Sequence, residues 1–370
     1  MASRMLQLVF ICVLCVPFMI LVSPAELGIM SILDYISYIN PPAVHKYKHD
    51  NGDNILCVKF TDQISLQRGK QQYGYDKKNS IIGWRDAQAG DSIKRCPEGT
   101  VSVMEIKPDH QYAVMKYLYE GVYGAQGIFN VWQPYVESHD YFSLSQIWLI
   151  RDKGLPTMQT MEAGWIVYPS YYGDSRPRLF VYWTADNYNK TGCWNLYCEG
   201  FVMSTDSKYY PGQPIEPVSE YEGPQIEREI SIKRLSDSFD REFLQGEGVW
   251  YLYIQNERVG YWPGSLFDSL AESADRVEYG GEVAIYGDNA GTPHSRTHMG
   301  SGHFLEEGWS RAAYIRNIEI HNSNGTLVYP PETNGVTNSK CYNLATHANQ
   351  TWGQYMFFGG PGGDNPSCVN

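Results

Sequence analysis

Several motifs that identify common enzyme families are absent from this sequence of 370 residues. It contains no Gly-x-Ser-x-Gly nucleophile elbow, no His-Glu-x-x-His zinc motif and no P-loop, which excludes the hydrolases and nucleotide enzymes built around those motifs. Charged residues are scarce at 19%, and the net charge of −12 argues against nucleic acid or an anionic membrane as the partner. Beyond residue 22 no apolar run is long enough to span a bilayer.

The first 25 residues have the pattern of a secretory signal peptide. The positively charged Arg4 precedes an almost wholly apolar run over residues 5–22, and the small residues Ser23 and Ala25 follow it. The run is short for a membrane anchor, so we expect cleavage near residues 23–28. The chain is therefore predicted to be secreted to the extracellular space or apoplast, or to a vacuole, without membrane attachment after cleavage.

The cysteines and glycosylation sequons agree with export. Cys12 and Cys15 leave with the signal, and the even number that remains favours disulfides in a secreted chain. The remaining cysteines are Cys57, Cys96, Cys193, Cys198, Cys341 and Cys368. Sequons for N-linked glycans on surface loops occur at Asn189, Asn324 and Asn349.

Neither a metal nor another cofactor is predicted. Cys193 and Cys198 are separated by four residues, and no His stands near them at ligand spacing. His294 and His298 form the best remaining pair, but their Gly- and Thr-rich surroundings disfavour the helix that would bring both side chains to one ion.

From about residue 112 the sequence has the texture of an all-β protein. Runs rich in Val, Ile, Tyr, Phe and Trp alternate partly with polar residues and are separated by turn residues, which is typical of strands. Strands are predicted at 113–123, 128–135, 143–150, 164–168, 179–184 and 249–254, and one short helix at 265–274. So many strands with so little helix favour antiparallel sheets packed as a sandwich or barrel.

Two carboxylates lie in unusually aromatic and apolar sequence. Glu162 stands at the entrance to the strand predicted at 164–168, and Glu282 follows the glycine pair Gly280-Gly281, which would let backbone approach a ligand closely. A carboxyl in an apolar cleft has a raised pKa, and two carboxyls sharing a site push their pKa values apart, so one can act as an acid and the other as a base. On spacing alone, a Glu at a strand end is more often solvated or ion-paired.

These residues belong to a longer set of motifs that resembles the neprosin family of plant glutamic peptidases from about Val114 to Cys368. The first motifs are Ser143-Leu144-Ser145-Gln146-Ile147-Trp148, Glu162-Ala163-Gly164-Trp165, Tyr182-Trp183-Thr184-Ala185-Asp186 and Cys198-Glu199-Gly200-Phe201-Val202. The later ones are Val259-Gly260-Tyr261-Trp262-Pro263, Tyr279-Gly280-Gly281-Glu282-Val283, Met299-Gly300-Ser301-Gly302-His303-Phe304 and Phe358-Gly359-Gly360-Pro361-Gly362-Gly363.

The resemblance implies a secreted zymogen whose antiparallel β-sandwich catalytic domain, at 106–370, follows a signal peptide at 1–25 and a smaller propeptide domain at 26–105. It implies cleavage of peptide bonds after proline, at acid pH and without a metal, in protein or peptide substrates, with the chain's own propeptide as inhibitor. The catalytic pair would be Glu162 and Glu282, with Glu278 as a nearby competitor for the second position. Removal of the propeptide is expected between about Cys96 and Tyr112.

The same resemblance, together with proximity, implies the disulfide pairs Cys193–Cys198, Cys341–Cys368 and Cys57–Cys96. The propeptide departs from the family pattern, because the stretch 60–91 lacks the usual Pro-Ala-Phe-Asp-His-Pro run and reads Thr61-Asp62-Gln63-Ile64-Ser65 at the corresponding place. This departure concerns the prodomain and leaves the catalytic motifs untouched.

Other parts of the expected site stay open. Candidates to line a proline-binding cleft are Trp165, Trp183, Trp262 and Tyr279, although large aromatic residues more often fill sandwich cores. Gln146 is a candidate amide for orienting substrate or water, with a structural role as the alternative. A glycosidase and a non-catalytic wall or carbohydrate-binding β-sandwich remain as alternative functions.

Overall fold

The computed structural model describes residues 43–48, 54–59, 100–104, 108–153, 157–235, 248–286 and 294–368. The predicted signal peptide at 1–25 lies outside these residues. Three short antiparallel strands form a sheet of their own: β1 (Ala43–Lys48), β2 (Asn54–Lys59) and β3 (Thr100–Met104). They fall within the predicted propeptide range of 26–105, and β4 begins after that boundary, at Pro108.

The remaining described strands form two larger sheets. In chain order they are β4 (Pro108–Val122), β5 (Gly124–Asn130), β6 (Phe142–Arg151), β7 (Gln159–Val167), β8 (Arg178–Thr184), β9 (Cys193–Trp194), β10 (Val202–Met203), β11 (Glu227–Leu235), β12 (Val249–Ile254), β13 (Glu257–Pro263), β14 (Ala274–Tyr286), β15 (Ala313–His321), β16 (Leu327–Val328), β17 (Glu332–Val336), β18 (Asn343–Asn349) and β19 (Gly353–Gly359). A one-turn α-helix covers Pro169–Tyr172, and 3-10 turns cover Gly264–Leu266, Ser269–Ala271, Leu305–Glu307 and Gly362–Asp364.

The seven-stranded sheet has the order β17-β4-β14-β6-β7-β8-β9, and the nine-stranded sheet has the order β10-β13-β12-β11-β5-β15-β19-β18, with β16 beside β15. The pairings within both sheets are antiparallel. Because side chains alternate between the two faces of a strand, each sheet sends one face inward, and the two inner faces share one hydrophobic core. The predicted all-β, antiparallel sandwich is confirmed.

The seven-stranded sheet has a second, partly polar face. On β14, Val277, Tyr279 and Val283 lie in the shared core, so the alternate positions Glu278, Gly280 and Glu282 face the other way. A smaller apolar cluster on this second face includes Leu144, Trp148 and Tyr182. We call this surface the catalytic face, because both candidate glutamates lie on it.

The predicted strands are present with shifted ends, whereas the helix predicted at 265–274 is wrong. Two 3-10 turns, Gly264–Leu266 and Ser269–Ala271, occupy that region, and β14 begins at Ala274. The buried Phe267 and Leu270 anchor these turns in the core. Their helix-like spacing therefore arises because a short connection is buried, and it does not indicate a helix. Glu162, predicted at a strand entrance, lies inside β7.

Disulfides join Cys193 to Cys198 and Cys341 to Cys368, the two catalytic-domain pairs that the family resemblance implied. Cys57 is buried and disulfide-bonded, while its expected partner Cys96 lies outside the described residues. Among the residues described, the helices are too short and too polar to cross a membrane.

Candidate active site

Glu162 lies in the interior of the catalytic face, and its side chain is enclosed by neighbouring strands. Strand β7 pairs Glu162 with Trp148 of β6 on one side and with Tyr182 of β8 on the other. Only 5% of Glu162 is exposed. The apolar neighbours that make these strands stable therefore also remove the carboxyl from water.

Three hydrogen bonds hold the Glu162 carboxyl. Tyr188 Oη and Thr160 Oγ1 donate to Oε1 at 2.7 and 2.8 Å, and Gln146 Nε2 donates to Oε2 at 3.0 Å. Burial raises the pKa of Glu162 to about 7, against the opposing effect of these hydrogen bonds, and the charge of Glu282 raises it further. Glu162 is therefore protonated over most of the acidic range.

Glu282 lies on β14 in a different environment. It pairs with Tyr112 of β4 and Leu144 of β6, and it is 5% exposed. His110 Nδ1 forms a very short contact with Glu282 Oε1. Glu282 therefore has a basic neighbour, whereas the carboxyl of Glu162 is held by neutral hydroxyl and amide donors.

Gln146 lies on β6 between the two glutamates, which are on the neighbouring strands β7 and β14. Its register partners are Gly164 on β7 and Gly280 on β14, while Glu162 and Glu282 lie in the rows on either side. Gln146 therefore has no neighbouring side chain within its own row, and among the described residues its Oε1 atom finds no hydrogen-bond partner. This row of glycine, glutamine and glycine leaves a shallow floor between the two carboxyls.

The glycines on this floor are required by their neighbours. A Cβ at Gly164 would lie 2.0 Å from Ser145 O, and one at Gly280, where φ is +152°, would lie 2.1 Å from Ala113 O. A Cβ at Gly281 would lie 2.6 Å from Phe358 in the core. These residues allow strand β4 and a core ring to pack closely, and the expectation that the Gly280-Gly281 pair also serves close approach of a ligand stays a prediction.

Glu278, the competitor for the second catalytic position, is an ion-paired residue. It is 8% exposed, and its Oε1 lies 3.4 Å from Lys116 Nζ and 3.1 Å from Arg276 Nε. Glu278 thus takes part in two ion pairs, which is typical of a structural carboxylate. Glu282, whose basic neighbour among the described residues is His110, is the better candidate.

A cleft of ≈ 330 Å³ opens on the catalytic face. Glu162 and Glu282 do not line it themselves, but their register partners Trp148 and Tyr112 do. Tyr112 and Tyr188, which contact Glu282 and Glu162, both line it. Its other lining residues are Val114, Lys116, Trp148, Ile150, Met158, Arg276, Glu278, Gly335, Val336 and Thr337. The cleft thus combines aromatic and aliphatic walls with a charged end at Glu278.

The four aromatic residues predicted to line the cleft lie elsewhere. Trp165, Trp262 and Tyr279 are 0% exposed and fill the core between the sheets, and Trp183 packs against that core from the side. Trp165 and Tyr279 alternate with Glu162 and Glu282 on the same strands, so they point away from the catalytic face. Their expected contact with substrate is therefore corrected to a packing role.

Sequence reasoning missed His110, Tyr112, Thr160 and Tyr188, which contact the two glutamates. The alternation that relates Thr160 to Glu162 was a usable signal. Tyr188 had no such signal, because it lies in a loop where Asn187 and Tyr188 both have positive φ (58° and 59°). Hydrogen bonds from the backbone of Asn189, Lys190 and Thr191 to Asp186 hold this loop in place.

Within the described residues, His294, Cys341 and Cys368 form a group with metal-ligand spacing. The two cysteines are joined in a disulfide, so they offer no thiolate to an ion. His298, predicted as the possible partner of His294, instead lies 3.0 Å from Asp364.

Comparison with solved structures finds distant similarities. Three solved structures align with the chain: two of scytalido-glutamic peptidase with transition-state analogues, and SCP-B, a member of the Eqolisin family of peptidases, with the tripeptide Ala-Ile-His. Their identities are 10, 11 and 11%, with TM-scores of 0.36, 0.35 and 0.32. The alignments cover 69, 69 and 68% of this chain and 100, 100 and 98% of the other chains.

The sequence match is more specific than these distant structural similarities. The family model described as Neprosin matches residues 139–361, which is more than half of the chain and includes both glutamates and the strands that hold them. The chain belongs to the Neprosin family of glutamic peptidases.

Proposed function

We propose that this chain is a secreted, acid-acting glutamic endopeptidase that cleaves after proline and uses Glu162 and Glu282 to activate water. The observation that carries the proposal is the contrast between two buried carboxyls on one face. Burial raises the pKa of Glu162 to about 7, while Glu282 contacts a basic group. Such a pair supplies one acid and one base at the same pH.

The environments support a role for each residue. Glu282, ionised, takes a proton from the water whose oxygen attacks the scissile carbonyl carbon. Glu162 Oε1 already accepts two hydrogen bonds, so its proton belongs on Oε2, from where it hydrogen-bonds the carbonyl oxygen. That proton passes to the leaving nitrogen as the C–N bond breaks, and exchange with solvent then restores both carboxyls.

The cleft supports a preference for proline. Tyr112, Trp148 and Tyr188 line it next to the glutamates, and aromatic ring faces pack well against a pyrrolidine ring. These residues replace the aromatic residues predicted from the sequence. The segment 26–105 is the proposed propeptide and inhibitor.

The decisive experiment compares Glu162→Gln, Glu282→Gln and the control Glu278→Gln on proline-containing peptides at about pH 3–5, near ordinary carboxyl pKa values. The first two variants should lose cleavage, and the control should keep it. Full activity in either catalytic variant would refute the assignment. Parallel digests of a peptide library and of cell-wall glucans distinguish a peptidase from a glycosidase, and N-terminal sequencing after acidification tests propeptide removal.

A further inference from the structure

His110 is positioned to control the ionisation of Glu282. It lies on β4, two residues before Tyr112, the register partner of Glu282. Its side chain is 35% exposed, whereas that of Glu282 is 7% exposed, so the imidazole connects a buried carboxyl with solvent. The ring stacks on Tyr112 at 6.1 Å and meets Phe142 edge-on at 6.0 Å, which fixes its direction towards the carboxyl.

We propose that His110 is a positioning residue that pairs with the Glu282 carboxylate and orients it towards the attacking water. The inference rests on the two-glutamate function proposed above and adds the residue that adapts the base to acid. An unperturbed histidine is protonated below about pH 6.5, so a contact between a histidine and a carboxylate is an ion pair in acid. An opposite charge within a few ångströms lowers a carboxyl pKa by about 1–3.

The other groups that face Glu282 do not provide this positive charge. From β4, Tyr112 is a neutral phenol whose pKa is raised by burial and then by Glu282 itself. Lys116 is engaged by Glu278. In the remaining elements, Glu162 and Tyr188 are titratable groups whose pKa is raised by the charge of Glu282. His110 is therefore the base in this surrounding set that forms an ion pair with Glu282.

The test separates the two limbs of the pH profile of kcat/KM. His110→Gln keeps a hydrogen-bonding side chain and removes the charge, so the acid limb should move up by about one pH unit, while the alkaline limb, set by Glu162, stays in place. His110→Lys restores the charge and should restore the acid limb. The matched control is His303→Gln, because His303 lies 2.8 Å from Glu307 in a similar pair outside the site.

An unchanged acid limb in His110→Gln, or failure of His110→Lys to restore it, overturns the inference. Inactivity of both variants at every pH, with native circular dichroism, overturns it too, because charge would then not suffice. Failure of the proposed function is distinguishable, since it would leave Glu162→Gln or Glu282→Gln fully active.

An independent observation concerns the outer surface of the nine-stranded sheet. Aromatic rings form a contiguous group there, with centroid distances of 4.8–5.9 Å between neighbours. Its members, which we call the aromatic face, are Trp309, Tyr314, Trp352, Tyr355 and Phe357. Trp309 is 54% exposed and Tyr314 is fully buried beneath the group, while the other three rings are half-buried. The accessible part of the aromatic face therefore centres on Trp309, and exposed apolar patches often mark binding sites.

The sequon at Asn349 lies on the same side of the sheet. Strand β18 pairs Ala345 with Phe357, His347 with Tyr355 and Asn349 with Gly353, and paired side chains share a face. Asn349 Oδ1 accepts hydrogen bonds from the backbone of Thr351 and Trp352 at 2.9 and 2.7 Å. These bonds fix the amide in the turn through Oδ1 and do not involve Nδ2, the atom that carries a glycan.

We infer that Asn349 carries an N-linked glycan whose first sugars pack over the aromatic face. The C–H groups of a pyranose ring are suited to the electron-rich faces of Trp side chains. The full chain should therefore be produced in a secretory host and its sequons mapped by mass spectrometry. Asn349 should be occupied, and Asn349→Gln should lower the Tm by about 2 °C and increase binding of a hydrophobic dye.

Asn324→Gln is the matched control, because its sequon lies in the turn between β15 and β16. Trp352→Ala should abolish the Tm difference between the glycosylated protein and protein whose glycans have been removed enzymatically. An unmodified Asn349, or an Asn349→Gln variant that behaves like Asn324→Gln, overturns the inference.

Discussion

The two faces of the seven-stranded sheet are built from the same strands but have different roles. Trp165 and Tyr279 fill the shared core, while Glu162 and Glu282, three residues away on the same strands, lie on the catalytic face. On the core face the free energy comes from apolar burial. On the catalytic face part of this stabilising free energy is lost, because two carboxyls are removed from water. The core rings therefore stabilise the strand register that brings both carboxyls to one face.

The largest expected effect is a loss of activity without a loss of stability when a glutamate on the catalytic face is replaced. Glu162→Gln and Glu282→Gln preserve side-chain volume, so we expect native unfolding temperatures together with a loss of kcat of about 10²–10⁴-fold, as for a lost general acid or base. Steady-state kinetics on a proline-containing peptide measures this. If either variant unfolded before it lost activity, the separation between the faces would be wrong.

Truncation on the core face should do the opposite. Trp165→Ala removes a fully buried ring whose Nε1 donates to Asn130 O at 3.1 Å, and we expect a loss of unfolding free energy of about 3–5 kcal/mol. Denaturant titration measures it. The protein that remains folded should keep its pH profile, and a selectively shifted profile would contradict the assignment of Trp165 to the core.

The pH dependence of stability should reveal Glu162. Its folded-state pKa of about 7 exceeds the ordinary value of 4.5, so its protonated form stabilises the fold below about pH 4.5. This contribution is lost as pH rises through 7, by up to about 3 kcal/mol. Denaturant unfolding of the native protein and Glu162→Gln at pH 4.5 and 8 tests this. The variant should lose less stability between the two values, and an equal loss would contradict it.

The smallest effect should come from Tyr188→Phe. The Tyr188 hydroxyl hydrogen-bonds Glu162 and holds its pKa down, so its removal should raise that pKa and move the alkaline limb of kcat/KM to higher pH by about half a unit. The acid limb should stay in place, in contrast to His110→Gln. A shift of the acid limb in Tyr188→Phe would show that the two carboxyls do not have separate environments.

Much of the fold followed from local pattern, because alternating apolar residues bury one face of a strand wherever that strand lies. The pattern failed at 265–274, where Phe267 and Leu270 mimic a helical stripe but anchor two 3-10 turns in the core. It also placed Glu162 at a strand entrance, whereas β7 begins earlier, at Gln159, and the polar residues Gln159 and Thr160 are buried within it.

For the candidate site, the motifs identified the glutamates and Gln146, which the structure brings to one face. The aromatic residues of the same motifs were assigned to the wrong face, because abundance of Trp and Tyr does not reveal direction along a strand. His110 and Tyr188 reach the glutamates from positions 172 and 26 residues away in the chain. Such distant contacts depend on strand order, which local sequence patterns do not contain.

The pairing of β4 with β14 has a consequence for maturation. Every residue from Pro108 to Met115 is opposite a residue of the strand that carries Glu282, including His110 and Tyr112. If a propeptide is released, the scissile bond must therefore precede Pro108, since a later cut would take away strand pairing and the partners of the proposed base together. The interval expected for the cleavage site, between Cys96 and Tyr112, is thereby shortened to the part before Pro108. The first residues of the mature enzyme would then form a wall of its own active site.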